Sequence, residues 1–198
     1  MNAKNYNALM EKEIAGFDKR HTLLLHCCCA PCSSACLEKL KDFFDITVLY
    51  YNPNIEDEEY FRRKAELSRL IKETGWAKEI DCDREKDRYY SAIRGLENEP
   101  EGGKRCEVCF ELRLEKTAEI AEKLCFDYFT TTLTISPLKN AAILNEIGER
   151  ASQGKNVKWL YSDFKKREGY LKSIRLSEKY NLYRQDYCGC VYSINKLK

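Results

Sequence analysis

Five short apolar or β-branched runs alternate with longer helix-patterned segments, and this alternation narrows the fold more than any other feature of the chain. "HTLLLHC" (21–27), "DITVLYYNPNI" (45–55), "WAKEIDCD" (76–83), "YFTTTLTI" (128–135) and "VKWLYS" (157–162) read as strands, the second closing in an Asn-Pro-Asn turn. Helices are expected at 33–43, with Ser33 or Ser34 as N-cap, and at 56–75. The latter has acidic residues in its first turn, an apolar face of Phe61, Ala65, Leu70 and Ile71, and a stop at Gly75. Further helices are expected at 84–96, 106–124, 140–154 (stopped by Gly154) and 167–181. In the 106–124 helix, Phe110, Leu114, Thr117, Ala118, Ala121, Leu124 and the adjoining Cys125 recur at helical spacing. "ENEPEGGKR" (97–105) is a polar loop. Strand–helix alternation predicts an α/β domain with a mainly parallel sheet flanked by helices and a helical C-terminal part. Residues 1–198 are expected to form one such domain, with 1–20 as an N-terminal extension. Ligands in such folds sit beyond the carboxyl ends of the strands. "HCCCAPC", "YNPN", "TISPLKN" and "YSDFKK" all follow predicted strands, so they should converge at one edge of the sheet.

That edge is rich in thiols. Eleven of the 198 residues are cysteine, in three local groups: Cys27, Cys28, Cys29, Cys32 and Cys36; Cys106 and Cys109; Cys188 and Cys190. Cys82 and Cys125 stand alone and read as buried small hydrophobes. The polar N-terminal segment has no signal-peptide core, and no apolar run approaches the roughly 20 residues of a membrane helix. A cytoplasmic chain is therefore expected. There an odd number of cysteines points to metal binding or redox work rather than a disulfide framework. A C-x-x-C opening a helix has a physical rationale, because free amides and the helix dipole stabilise thiolate. Six or more ligands exceed the four of a structural zinc site. An iron–sulfur cluster with further redox thiols, or with a second metal, accommodates them better. A phosphate-binding loop would occupy the same place, but "HCCCAPCSS" holds no glycine and a rigid Pro31, which argues against ATP.

Net charge is +2, unevenly spread. Residues 151–198 carry 11 Lys/Arg against 4 Asp/Glu, or +7, and residues 1–150 carry 23 against 28, or −5. The basic quarter fits a polyanionic partner or a solvated face.

Taken together, "LHCCCAPCSS", "YYNPNI", "RCEVCFELRLEKTA", "TTTLTISPLKN", "SDFKKREGY" and "LYRQDYCGCVYS" resemble the QueH-type epoxyqueuosine reductases, in unchanged order over roughly residues 20–193. The one departure is Cys27, at a position where the family's motif does not require cysteine. The resemblance implies a fold similar to adenine-nucleotide alpha hydrolase (HUP)-like domains without the ATP loop. It implies reduction of the epoxide of epoxyqueuosine at the tRNA wobble position to queuosine, through a [4Fe-4S] cluster and without cobalamin, with a further mononuclear iron beside the cluster. By motif the carried-over cysteines are Cys28, Cys29, Cys32, Cys106, Cys109, Cys188 and Cys190. On this resemblance Cys28, Cys29, Cys106 and Cys109 are expected to hold the cluster. Cys188 and Cys190, with Asp163, are expected to hold the second iron or, as a pair, to cycle through a strained disulfide. Cys32 and His26 are further candidates for the chemistry, His26 as proton donor or as a brace for the loop. Tyr50, Tyr51 and Tyr187 are read either as stacking partners for a base or as core. Lys139, Lys165, Lys166, Arg167, Lys172, Arg175 and Arg184 are candidates for the tRNA backbone, and 163–198 for a basic segment closing over the site. The expected partners are tRNA bearing epoxyqueuosine and an electron donor, with no membrane and a monomeric chain. Two other classes stay open at this point: a zinc-binding tRNA-interaction module, and a thiol-redox or sulfur-transfer enzyme.

Overall fold

Leu23, Leu24 and Leu25 stand in one strand and bury on opposite sides of it, as the two-residue repeat of a strand requires. Leu23 and Leu25 enter one half of the core and Leu24 the other, so the sheet must be covered on both faces. In a computed structural model describing residues 4–194, β1 (His21–His26) is the centre of a five-stranded, wholly parallel sheet. Residues 1–3 and 195–198, the outermost parts of the expected N-terminal extension and basic C-terminal segment, lie outside the described residues. The other strands are β2 (Phe44–Leu49), β3 (Lys78–Ile80), β4 (Tyr128–Thr131) and β5 (Lys158–Trp159), in the order β3-β2-β1-β4-β5. The chain winds outward from β1 in both directions. The carboxyl ends of β1 and β4 therefore form the switch point at which doubly wound sheets bind ligands.

Helices α2 (Ala30–Leu40), α3 (Asp57–Thr74) and α7 (Gly169–Lys179) pack over one face, and α5 (Lys104–Lys123) and α6 (Ala141–Ser152) over the other. The short helices α4 (Lys86–Ala92) and α8 (Val191–Ile194) lie between α3 and α5 and at the C-terminal end of the described chain. Among the described residues no helix is long and apolar enough to cross a membrane.

Several sequence expectations shift. The expected extension contains a helix, α1 (Tyr6–Ala15), capped by Asn5 and burying Tyr6, Met10 and Ile14. Helix α2 starts three residues earlier than expected. Pro31 in its first turn needs no donor there. Ser33 and Ser34 are not caps: their hydroxyls donate to the carbonyls of Cys29 (2.8 Å) and Pro31 (2.9 Å). The buried face of α3 is Tyr60, Arg63, Leu67, Leu70 and Ile71, whereas Phe61 is 64% exposed and Ala65 is exposed. One residue of phase moves a helix face by 100°, and Tyr60 holds the inner position. Gly75 ends α3 in the left-handed conformation, at φ 64°, as expected. Strand β4 stops at Thr131, and Thr132–Ile135 continue as a 3₁₀ turn. Cys125 is exposed at φ 57°, just past the end of α5, rather than buried, and Leu124 is half exposed. Cys82 is half-buried.

The β5 edge is held by Asn145, which is fully buried. It accepts from the Trp159 indole (3.1 Å) and the Ser162 amide (3.0 Å), and donates to the Ser162 carbonyl (2.8 Å). Gly148, one turn along α6, lets the helix lie on the Trp159 ring: a Cβ there would fall 2.3 Å from two ring atoms. Gly148→Ala is therefore expected to destabilise the fold by about 1–3 kcal/mol, the range for overpacking. Urea denaturation would read this as a lower midpoint. An unchanged midpoint would mean that α6 can part from β5 without loss.

Candidate metal centre

His26, the last residue of β1, fixes the geometry of the strand ends. It is fully buried; its Nε2 donates to the Tyr51 carbonyl (2.9 Å), and its Nδ1 accepts from the Thr131 hydroxyl (2.8 Å). The same hydroxyl accepts from the Leu133 amide at 3.1 Å. Burial, first, and the nearby Arg113 charge lower its pKa to about 4, so the ring is neutral and braces three strand exits. Asn52 adds a second brace, donating to the Cys27 carbonyl at 2.9 Å. Tyr50 and Tyr51 are core residues, their hydroxyls donating to the Tyr60 carbonyl and to Glu85.

The braced loop delivers thiols. The Cys28 and Cys29 sulfurs are 3.7 Å apart, and with Cys32, in the first turn of α2, they form a trio whose sulfurs all lie within 4.8 Å of one another. This is the one group of three such ligand atoms among the described residues. Thr132, at the exit of β4, has its hydroxyl 3.9 Å from the Cys28 sulfur. A cavity of about 400 Å³ opens on the trio, lined by Cys28, Cys32, Arg63, Arg113, Lys139 and Cys188. Leu138, 76% exposed, stands at its mouth together with Tyr170, Tyr187 and Arg184.

The other cysteines divide around this cavity. Cys106, in the first turn of α5, is half-buried, and its sulfur accepts from the Gly102 amide at 3.2 Å. Cys109 is buried against Tyr89, Ile93 and Leu112. Neither joins the trio at ligand distance, so the geometry itself groups Cys32 with Cys28 and Cys29. Cys188 and Cys190 are both free thiols on a turn whose Gly189 has φ 96°. A Cβ on Gly189 would meet the Arg63 guanidinium at 2.9–3.1 Å. Cys27 and Cys36 are buried with the α2 half of the core, and burial pushes both thiols well above their ordinary range. Asp163 pairs with Lys165 at 2.9 Å and does not line the cavity.

Three cations surround the thiols. Arg63 is buried on α3; it donates to the Cys188 carbonyl (2.9 Å) and the Tyr187 carbonyl (3.3 Å) and pairs with Glu59 at 2.5 Å. Arg113 is 1% exposed on α5 and donates to the Asn54 amide oxygen, while its Nε has no partner. The Asn54 amide nitrogen in turn points at the Cys188 sulfur, 3.9 Å away. Lys139 is half-buried and lines the cavity next to Leu138 in the chain. Hydrogen bonds from Cys29 and Cys32, helped by Lys139 and Arg113, hold Cys28 well below the usual thiol range. Cys190, with Lys139, Arg113 and Arg63, does the same for Cys188. The donating neighbours stay protonated, Cys29 being pushed up to about 12. Burial raises Cys109 to about 11.

This donor set fits a thiolate-bound metal group. The ligands are soft, two sulfurs are already biased towards thiolate, and an unpaired guanidinium nitrogen awaits negative charge. Sequence reasoning missed Arg63, Arg113 and Asn54. The signal for Arg113 was present: in "RCEVCFELR" it lies seven residues after Cys106 and four after Cys109, on their helix face.

Of the residues predicted to meet nucleic acid, Lys139 and Arg184 line the cavity, and Lys166 and Arg175 are exposed. Lys165, Arg167 and Lys172 lie in ion pairs with Asp163, Glu11 and Glu38.

The family model for epoxyqueuosine reductase QueH matches residues 23–196. Similar proteins bearing that name include one from Streptococcus pyogenes, 43% identical over 96% of this chain and 78% of its own length. Another, from Staphylococcus epidermidis, is 41% identical over 97% and 85%. A third, from Thermotoga maritima, is 34% identical over 87% and 90%.

In reduced, metal-free protein, iodoacetamide is expected to modify Cys188 and Cys28 first. A thiolate with depressed pKa persists as pH falls, so their rates should change little between pH 8.5 and 7. An ordinary thiol slows steeply below about pH 8.5. Peptide mapping after timed quenching checks this, and rates that fall like those of a free thiol would refute the thiolate bias.

Proposed function

The chain belongs to the QueH family of epoxyqueuosine reductases, and from that premise we propose that it reduces the epoxide of epoxyqueuosine in tRNA to the alkene of queuosine. The observation that carries this reading is the cavity at the β1/β4 switch point, where a three-thiol trio, Cys188 and the cations Arg63, Arg113 and Lys139 meet. Turning an epoxide into an alkene and water takes two electrons and two protons, which no side chain supplies by itself. A [4Fe-4S] cluster, when bound, supplies electrons of that kind without cobalamin. We assign Cys28, Cys29, Cys106 and Cys109 to the cluster, and Cys188 and Cys190 to a second iron or to a redox pair, with Cys32 beside both groups.

The remaining residues bind, orient and exclude water. A cavity of about 400 Å³ falls within the range of small-molecule sites and admits one nucleobase but no helix. The modified base must therefore leave its stack in the anticodon loop to enter. Tyr170, Tyr187 and Leu138 offer apolar faces at the mouth. We read the segment from residue 163 onward as the cover of the site, held by Arg63 on the Tyr187 and Cys188 carbonyls and by the Glu56 amide on the Gly189 carbonyl (3.2 Å). Of the candidate cations away from the cavity, Lys166 and Arg175 are exposed and outside any ion pair, and we read them as meeting phosphates. We place the enzyme in the cytoplasm, acting as a monomer.

Two outcomes test this reading. Protein purified without oxygen should be brown, contain iron and acid-labile sulfide, and convert epoxyqueuosine-containing tRNA. Cys106→Ala should lose both the cluster and turnover. Unchanged iron in that variant would remove Cys106 from the ligands, and full turnover by metal-free protein with a dithiol would defeat the reductase mechanism. Binding of tRNA should weaken as salt rises, and the Lys166→Gln, Arg175→Gln double variant should lower the slope of log K against log salt by about 1–2. A slope unaltered by the double change would place the phosphates elsewhere.

A further inference from the structure

Four cations line the thiol cavity; Arg184 is exposed, and of the other three one is neutralised and two are not. Arg63 has Glu59 at 2.5 Å. Arg113 and Lys139 form no ion pair with a carboxylate among the described residues, although Arg113 is 1% exposed and Lys139 half-buried. The one side-chain hydrogen bond of Arg113 is to a neutral amide, that of Asn54, and its buried Nε has no partner. A guanidinium taken out of water in this way is unfavourable unless negative charge lies close by. The thiols that line the cavity with it are Cys28, Cys32 and Cys188, and Asn54 joins it to the last of these; the two carboxylates of the lining, Glu101 and Asp186, are exposed and form no ion pair with it.

We propose that Arg113 and Lys139 are the counter-charges of the metal centre and set the potential at which it accepts an electron. The inference rests on the cluster reading above and extends it to residues that touch no iron ligand covalently. Reduction of a thiolate-bound cluster by one electron adds one negative charge and breaks no bond. Fixed positive charges in a weakly screened interior stabilise the more negative, reduced state. Both residues raise the potential, and removing either lowers it. Arg113 acts from α5, the helix that also carries Cys106 and Cys109; Lys139 acts from the loop after β4. They are positioning residues, because they act through the charge of the group and not on the substrate.

The test is a redox titration with dithionite, followed by electron paramagnetic resonance, on anaerobically purified holoenzyme. The variants are Arg113→Gln, Lys139→Gln and Lys139→Arg, with iron and sulfide measured in each. Expected are wild-type iron and sulfide in Lys139→Gln and a reduced-to-oxidised ratio at fixed potential at least tenfold lower, a negative shift of about 59 mV for one electron. Lys139→Arg keeps the wild-type midpoint. Arg113→Gln shifts in the same direction if it loads; if it does not fold or load, Lys139→Gln decides. Loaded variants with unmoved midpoints overturn this inference alone. Wild-type protein that takes up neither iron nor sulfide overturns both it and the cluster reading.

Discussion

A guanidinium buried inside the protein with no carboxylate beside it is the constraint around which the thiol cavity is organised. Arg113 can stay charged there only if its surroundings provide negative charge. The ionisable side chains whose charge bears on it are Cys109, Cys188, Cys28 and Tyr89. In two of the three cysteine groups one sulfur, Cys28 or Cys188, is held towards thiolate, first by hydrogen bonds from its protonated neighbours and then by Lys139 and Arg113. The dependence runs both ways: thiolates make the guanidinium tolerable, and the guanidinium adds to the hydrogen bonds and the Lys139 charge that favour them. Arg63 does not share this arrangement. Glu59 neutralises it, and its work is mechanical, clamping the carbonyls of Tyr187 and Cys188 so that the C-terminal turn stays over the cavity.

Topology brings these groups together from distant parts of the sequence. In a sheet ordered β3-β2-β1-β4-β5, the loops after β1 and β4 diverge to opposite faces and leave a crevice between them. The Cys28 loop occupies one lip and the Thr132–Ile135 turn the other, with His26 tying both to the exit of β2. A neutral imidazole suits that bracing role, since a charged ring would have nothing acidic to face in the same space. Helix α5 then reaches in from the second layer, and the turn at Gly189 closes from above the first.

The fold was largely legible because β1 states its burial in three consecutive leucines and because each helix of the sheet layers carries a readable stripe. What went unread has local causes. Helix α1 rests on Tyr6, Met10 and Ile14 at four-residue intervals, too sparse a pattern to stand out from a polar segment. In α3, "YFRR" offers two aromatics in a row, and only tertiary packing decides that Tyr60 faces inward, next to Tyr50, while Phe61 faces out. Ser33 and Ser34 look like caps, but Pro31 had already started the helix. At the site the cysteines were conspicuous, whereas Arg113 was hidden: an arginine in an otherwise apolar stripe reads as a surface residue until its neighbours are known to be thiols.

The C-terminal quarter shows why net charge overstates affinity for a polyanion. Its +7 counts every cation equally. In the structure Lys165, Arg167 and Lys172 are engaged with Asp163, Glu11 and Glu38, and two of those acids come from the N-terminal part whose surplus is negative. Arg184 lies over the Tyr170 ring, 5.4 Å from its centroid, and contributes a stacking surface as much as a charge. Lys139, which precedes this quarter, lines the thiol cavity. The positive charge that long-range attraction can use is therefore smaller than the sequence sum, while the charge at the thiols lies inside, where salt screens it less. The chain's cations thus divide into an outer set in the basic quarter, suited to capture, and an inner set, Arg113 and Lys139, which precedes that quarter and suits the balancing of charge at the thiols.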